Sequence, residues 1–342
     1  MSLRRIGTIA RLELTQRLRS VGWYVMLGVF AVLLLGITLL SFAVFADQDY
    51  WGAGVFSIVV NIVLLLVVLV SPALSGNAIN GDRDAATLAP VQVTMASTGD
   101  IMLGKLLAAV ATGGAFLLVA VPFLLVATFA GGVTPGMLLV SIGILAAEII
   151  VVAALGVGLS GLLARPLFSV AATYLVVAAL SIGTLIAFSL GGMAVRSEVV
   201  ERHRPYDLTA EEIDCNNWEE SSYDIPRFDY VWGFLAANPF VVLADATPVE
   251  FDRDGYPVDL FGQIKTGVRM AQHPPELELT WDDCAPTAYA QEPTPEEIVD
   301  DSVPSWFVGL GIQIVIAGGL FAGAWARTRT PARRLPPGTR IA

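Results

Sequence analysis

Six stretches of this chain stay apolar for too long to fold around a core in water. They cover approximately residues 22–46, 54–75, 104–130, 136–163, 167–194 and 304–326. A helix rises about 1.5 Å per residue, so about 20 residues cross the roughly 30 Å of hydrocarbon in a bilayer. A helix also satisfies its own backbone N–H and C=O groups where no water can. The expected fold is therefore an all-α integral membrane protein with six transmembrane helices. Composition agrees, because 55% of the 342 residues are hydrophobic and only 15% are charged, against about a quarter in a soluble domain. The first stretch follows Arg19, is too long for a signal-peptide core and lacks an A-x-A cleavage pattern, so it counts as a span.

Short flanks set the expected orientation. The N-terminal segment carries Arg4, Arg5, Arg11, Arg17 and Arg19, and the tail 327–342 carries Arg327, Arg329, Arg333, Arg334 and Arg340. The connections at 47–53 and 131–135 have no Lys or Arg. The positive-inside rule then puts both termini in the cytoplasm, as an even number of spans requires. Trp23, Trp51, Trp306 and Trp325 fall at span ends, where amphipathic rings anchor.

The same orientation makes residues 195–303, between spans five and six, an extracellular domain. From Arg196 to Val303 there are 24 acidic and 7 basic residues, a balance of −17 that leaves +6 for the rest of a chain of net charge −11. Acidity of this kind excludes nucleic-acid binding, which needs positive charge to meet phosphates. Both cysteines, Cys215 and Cys284, lie here, and an exported segment can form a disulfide. A Cys215–Cys284 bridge is expected. The segment is too aromatic for a disordered linker. Within it, residues 230–246 are apolar but broken at Asn238-Pro239, and read as re-entrant helices dipping into the outer leaflet. A seventh span there would put the arginine tail outside.

Two further segments are not spans. Residues 1–21 read as an amphipathic helix on the inner leaflet, with Leu3, Ile6, Leu14, Leu18 and Val21 as its apolar stripe, or else as a plain basic anchor. Residues 76–103 form the longest internal cytoplasmic connection, interrupted by Pro90 and Gly99. Either a short helix that docks on a soluble partner or an ordinary loop fits this pattern.

Few residues carry chemistry. Gly99 to Lys105 reads G-x-x-x-x-G-K, but Leu106 stands where Ser or Thr would ligate magnesium, so the chain has no nucleotide site of its own. Neither H-E-x-x-H nor G-x-S-x-G occurs, and two histidines with two cysteines at these spacings make no zinc site. No catalytic or metal-binding residue is expected. Glu148, in ILAAEIIVV near the middle of the fourth span, is an intramembrane polar site. It either lines a cavity, meeting a cationic or polar substrate or responding to protons, or is a packing residue. Gly156/Ser160 and Gly319/Gly323 have helix-packing spacing.

Three stretches together resemble the permease subunits of the type-two, export class of ABC transporters. They are ARLELTQRLRS at 10–20, GDRDAATLAPVQVTMASTGDIMLGKLL at 81–107, and GVGLSGLLARPLFSVAATYL at 156–175. In the second, Asp82-Arg83, Thr87-Leu88, Pro90 and Gly104-Lys105 match the family's acidic-Arg, Thr-Leu, Pro and Gly-Lys elements, with Asp82 where Glu is commoner. The likeness covers the membrane body and not the large insert. It implies a dimer of permease subunits, identical or paralogous, around a translocation path in a bacterial plasma membrane. It also implies separate cytoplasmic ATPase subunits that bind ATP and Mg. Coupling to them would run through Asp82, Arg83, Asp84, Thr87 and Leu88. The rival reading is a non-transporting anchor that displays an extracellular sensor or assembly domain.

Overall fold

A computed structural model describes residues 2–45, 51–87, 96–205, 217–284 and 293–329. Among these are six helices long and apolar enough to cross a membrane: α2 (Val21–Phe45), α3 (Trp51–Ser75), α5 (Thr98–Phe129), α6 (Pro135–Leu162), α7 (Pro166–Ala194) and α12 (Trp306–Thr328). Two shorter helices flank them, α1 (Leu3–Leu18) and α4 (Asn80–Asp84). The chain is mostly helical, with the apolar helices where the hydrophobic stretches lie.

The helix starts are chemically marked. Ser97 and Asp100 close a reciprocal capping box, so α5 begins at Thr98, ahead of its apolar stretch. Thr134 accepts the Met137 N–H, and Pro135 occupies the first position of α6. α5 ends where Gly131 and Gly132 turn with φ of +101° and +76°. α7 contains one π-helical segment, Ala179–Gly183.

α3 is the central helix. Val55, Phe56, Val59, Val60, Val63 and Leu64 are fully buried against α2, α5 and α6. By contrast, α2, α7 and α12 turn large apolar side chains outward, among them Leu40, Leu175, Ile182 and Val315. Such broad exposed apolar surface belongs against lipid or another apolar partner. Trp23 is not at the surface; it is buried with its ring edge-on to Phe116, 5.5 Å away.

The segment between α7 and α12 folds into two parts. A three-stranded sheet, which adds strands to the expected helical fold, has β1 (Arg196–Arg204) in the middle. β1 runs antiparallel to β2 (Glu219–Pro226) and parallel to β3 (Glu278–Asp282). The helical part comprises α8 (Gly233–Ala236), α9 (Pro239–Ala246), α10 (Leu260–Met270) and α11 (Pro295–Asp301). α9 packs on α6, α10 and α12, and Phe261 of α10 enters the main core. Gly309 permits this fit, since a Cβ there would fall 1.7 Å from the Ala236 carbonyl oxygen.

Candidate functional site

The densest cluster of charge on the helical body forms where α1, α4 and α5 meet. Lys105, about two turns into α5, is 97% buried, and its ammonium meets two carboxylates from different elements. One is Glu13 of α1 and the other is Asp82 of α4, 2.7 Å away. An unpaired buried ammonium would be costly, so both partners are needed to hold it there. Gly104 beside it lets α1 approach, because a Cβ would press on Ile9.

α1 is fastened at both ends as well. The Asp100 carboxylate accepts the Ser2 N–H at 2.9 Å and lies 3.7 Å from the Arg5 guanidinium. Arg17 donates to the Thr112 hydroxyl at 2.8 Å and the Leu74 carbonyl at 2.9 Å. Burial lowers the Arg17 pKa from its ordinary value, and nearby Glu13 opposes that shift. The face of α1 turned to the protein is thus Ile6, Ile9, Ala10, Glu13 and Arg17. Leu3, Leu18 and Val21 of the expected apolar stripe are exposed, as are Arg4, Arg11 and Arg19.

The five expected coupling residues divide. Asp82 is held by Lys105, while Arg83 donates to the Asn80 side chain at 3.1 Å and the Leu163 carbonyl at 3.4 Å. Asp84 and Thr87 are exposed, and Thr87 closes onto the Asp82 carbonyl through both its N–H and its hydroxyl. Leu88 lies outside the described residues. Ser160, at the end of α6, accepts the N–H groups of both Ile79 and Asn80 and so pins the start of α4. Gly156, a turn earlier, lets the end of α3 approach; a Cβ there would fall 1.9 Å from the Ser75 hydroxyl.

Glu148 is fully buried in α6, and neither carboxyl oxygen has a hydrogen-bond partner. Gln313 of α12 approaches it, and its own side-chain oxygen is also unpartnered. The Gln313 amide donates instead to the Ala237 carbonyl at 3.1 Å. Next in the chain, Asn238 donates to the Ser181 carbonyl at 2.7 Å and the Thr184 hydroxyl at 3.0 Å. Thr184 sits about 15 Å from the end of α7, at 1.5 Å per residue. The α8–α9 break therefore reaches deep along the apolar helices, and Asn238 fills a carbonyl of the π-helical segment.

A second buried knot ties the insert to α12. Asp245 of α9 pairs with Arg269 of α10 at 2.7 Å and accepts the Ser305 and Trp306 N–H groups at the start of α12. Asp259 caps α10 by accepting the Gly262 N–H at 2.7 Å. Burial raises the pKa of Asp259 to about 6, against the pull of the Gly262 N–H and Lys265.

Cys284 lies 4.0 Å from the Pro205 carbonyl, at the end of β1. Cys215 is outside the described residues, and no cysteine among the described residues is free. Among the described residues no group of three or more His, Cys, Asp or Glu could hold a metal. Sequence reasoning met Lys105 only in the phosphate-loop and family patterns and Asn238 only as a helix break, and did not single out Glu13, Asp245, Arg269 or Gln313. Asp245 and Gln313 are marked in the sequence only as an isolated charge and amide in apolar stretches, and Glu13 and Arg269 are not marked at all. No family model matches this chain, and no curated protein matches it in sequence.

Proposed function

We propose that this chain is the membrane-spanning permease subunit of an ATP-driven exporter of the type-two ABC class. Two such subunits enclose the path, and separate cytoplasmic ATPases dock on the segment 76–103 and on α1. Both termini are cytoplasmic, and the insert 195–303 is extracellular and closed by a Cys215–Cys284 disulfide. The chain itself is not an enzyme.

One observation carries the reading. Asp82 and Lys105, two elements of the pattern that resembles this family, are ion-paired, and Lys105 also holds Glu13 of α1. A push on exposed Asp84 at the end of α4, or on Thr87 just beyond it, would thus reach α1 and α5 together. Glu148 and Gln313 lie further along the same bundle and are the polar contacts we assign to the moving interface of α6 and α12.

The test is coupling. Asp82→Lys and Arg83→Glu are each expected to lower co-purification with the cognate ATPase, or its stimulation, at least tenfold. Lys105→Met is expected to spare binding and lose stimulation. If all three variants bind and stimulate the ATPase as the wild type does, the assignment is wrong. The anchor reading predicts that no ATPase co-purifies even with the wild type, and its one structural support is the three-stranded sheet of the insert.

A further inference from the structure

At the end of the bundle that carries α1, three arginines gather with no described acid to meet them. Arg83 reaches the Leu163 carbonyl, and Arg165 stands two residues further along the same turn. Arg327, near the end of α12, is close enough to Arg83 to act on it electrostatically. None of the three belongs to any described ion pair, and Asp84, the exposed carboxylate beside Arg83, pairs with none of them. The only described contact of the Arg165 guanidinium is the face of Phe168, 6.0 Å away. Arg165 stands at the N-cap position of α7 without a side-chain capping bond, and beyond Pro166, which has no N–H, the first-turn N–H groups favour an anion.

Beside this basic end runs a groove of about 470 Å³ along α7. It is lined by Arg165 and Phe168, by small Ala171 and Ala172, and by Leu163 and Leu175. Apart from Arg165 its lining is apolar, which suits one acyl chain lying along α7. α7 is one of the helices apolar enough to cross a membrane, so the groove continues from the charged end toward hydrocarbon.

We propose that this groove binds one anionic phospholipid, with its phosphate on Arg165 and the α7 N-terminus and one acyl chain over Ala171 and Ala172. Charge complementarity selects an anion, and the apolar groove selects a lipid over a soluble phosphate. The proposal requires that the chain lie in a bilayer, not that it transport anything, so failure of the coupling test would leave it standing.

Native mass spectrometry of the purified full chain tests it, with phosphatidylglycerol, phosphatidylcholine of the same chains, and glycerol phosphate as probes. The wild type is expected to retain one phosphatidylglycerol in preference to phosphatidylcholine. Arg165→Gln should cut that preference about fivefold, the effect of one arginine at a charged membrane surface. Ala171→Trp, which fills the groove and keeps every arginine, should lose the retained lipid. Both side chains are exposed, so neither change disturbs the core. Equal retention of the two lipids overturns the proposal, as does wild-type retention by both variants. Displacement of the lipid by glycerol phosphate also overturns it, since a soluble anion would then suffice.

Discussion

Single residues in this protein are decided by what surrounds them rather than by their own chemistry. Lys105 lies in a segment patterned like a phosphate loop, yet its ammonium is consumed by Glu13 and Asp82. The pattern described spacing along the chain, whereas the partners come from segments far away in sequence. Asp259 makes the same point with a sign that can be measured. Its carboxyl pKa is raised to about 6 from the usual 3.8, chiefly because it is buried, and one oxygen has no partner. Between those values the folded protein holds a proton that the unfolded chain has lost. Stability should therefore rise as pH falls from about 6 to about 4, and at neutral pH the ionised group is a cost of up to about 3 kcal/mol. Asn caps a helix as Asp does but does not titrate. Asp259→Asn should keep α10 and flatten that stretch of the stability–pH curve, as followed by thermal melting. Glu250 and Lys265 also face the site, so the flattening should survive Glu250→Gln. A wild-type slope in Asp259→Asn would show that another group titrates there.

Elements were legible where their physics is local. A run of apolar residues long enough to span lipid names its own helix, which is why the six long helices lie where the hydropathy puts them. Proline, glycine and capping residues then set the ends, with Ser97-Asp100 as the clearest case. The sheet was not legible in the same way. RSEVVERHR and EESSYDIP are charged on both faces, and the periodicity that marks a half-buried strand is absent because β2 is almost wholly exposed. The face of α1 that meets the protein was not legible for a related reason. Its contacts with α5 mix Ile6, Ile9 and Ala10 with Glu13, Arg17 and the Asp100 cap, so an apolar stripe alone could not find them. Buried charge also governs the join between insert and bundle, where α9, α10 and α12 converge on Asp245. Removing that carboxylate leaves Arg269 buried without its ionic partner and frees the first N–H groups of α12. Asp245→Ala should cost about 3–5 kcal/mol, the usual penalty for breaking one side of a buried pair. Arg269→Met together with Asp245→Leu should recover part of that loss. A single variant that melts with the wild type would mean that α9 is not what seats α12.

For the whole molecule, one question decides how every other feature is interpreted: which side the insert faces. The charge split between a −17 segment and a +6 body follows from composition alone, but it orients the chain only through the cell's rule for placing arginines. The cysteines give an independent test, because their chemistry depends on compartment rather than on topology rules. Cys284 lies where β3 ends, beside the Pro205 carbonyl, and Cys215 is ten residues further along the chain from Pro205. If the insert is extracellular, both thiols should be oxidised in protein taken directly from cells. A maleimide reagent should then add no mass until a reductant is supplied, after which it should add twice. The bridge would close a loop of about 70 residues, worth about 4 kcal/mol in the chain-entropy account, so reduction should also lower the melting temperature of the insert. Two thiols that label without reductant would place residues 195–303 in a reducing compartment. The arginine-rich ends would then face outward, and no cytoplasmic ATPase could reach α1 and α4.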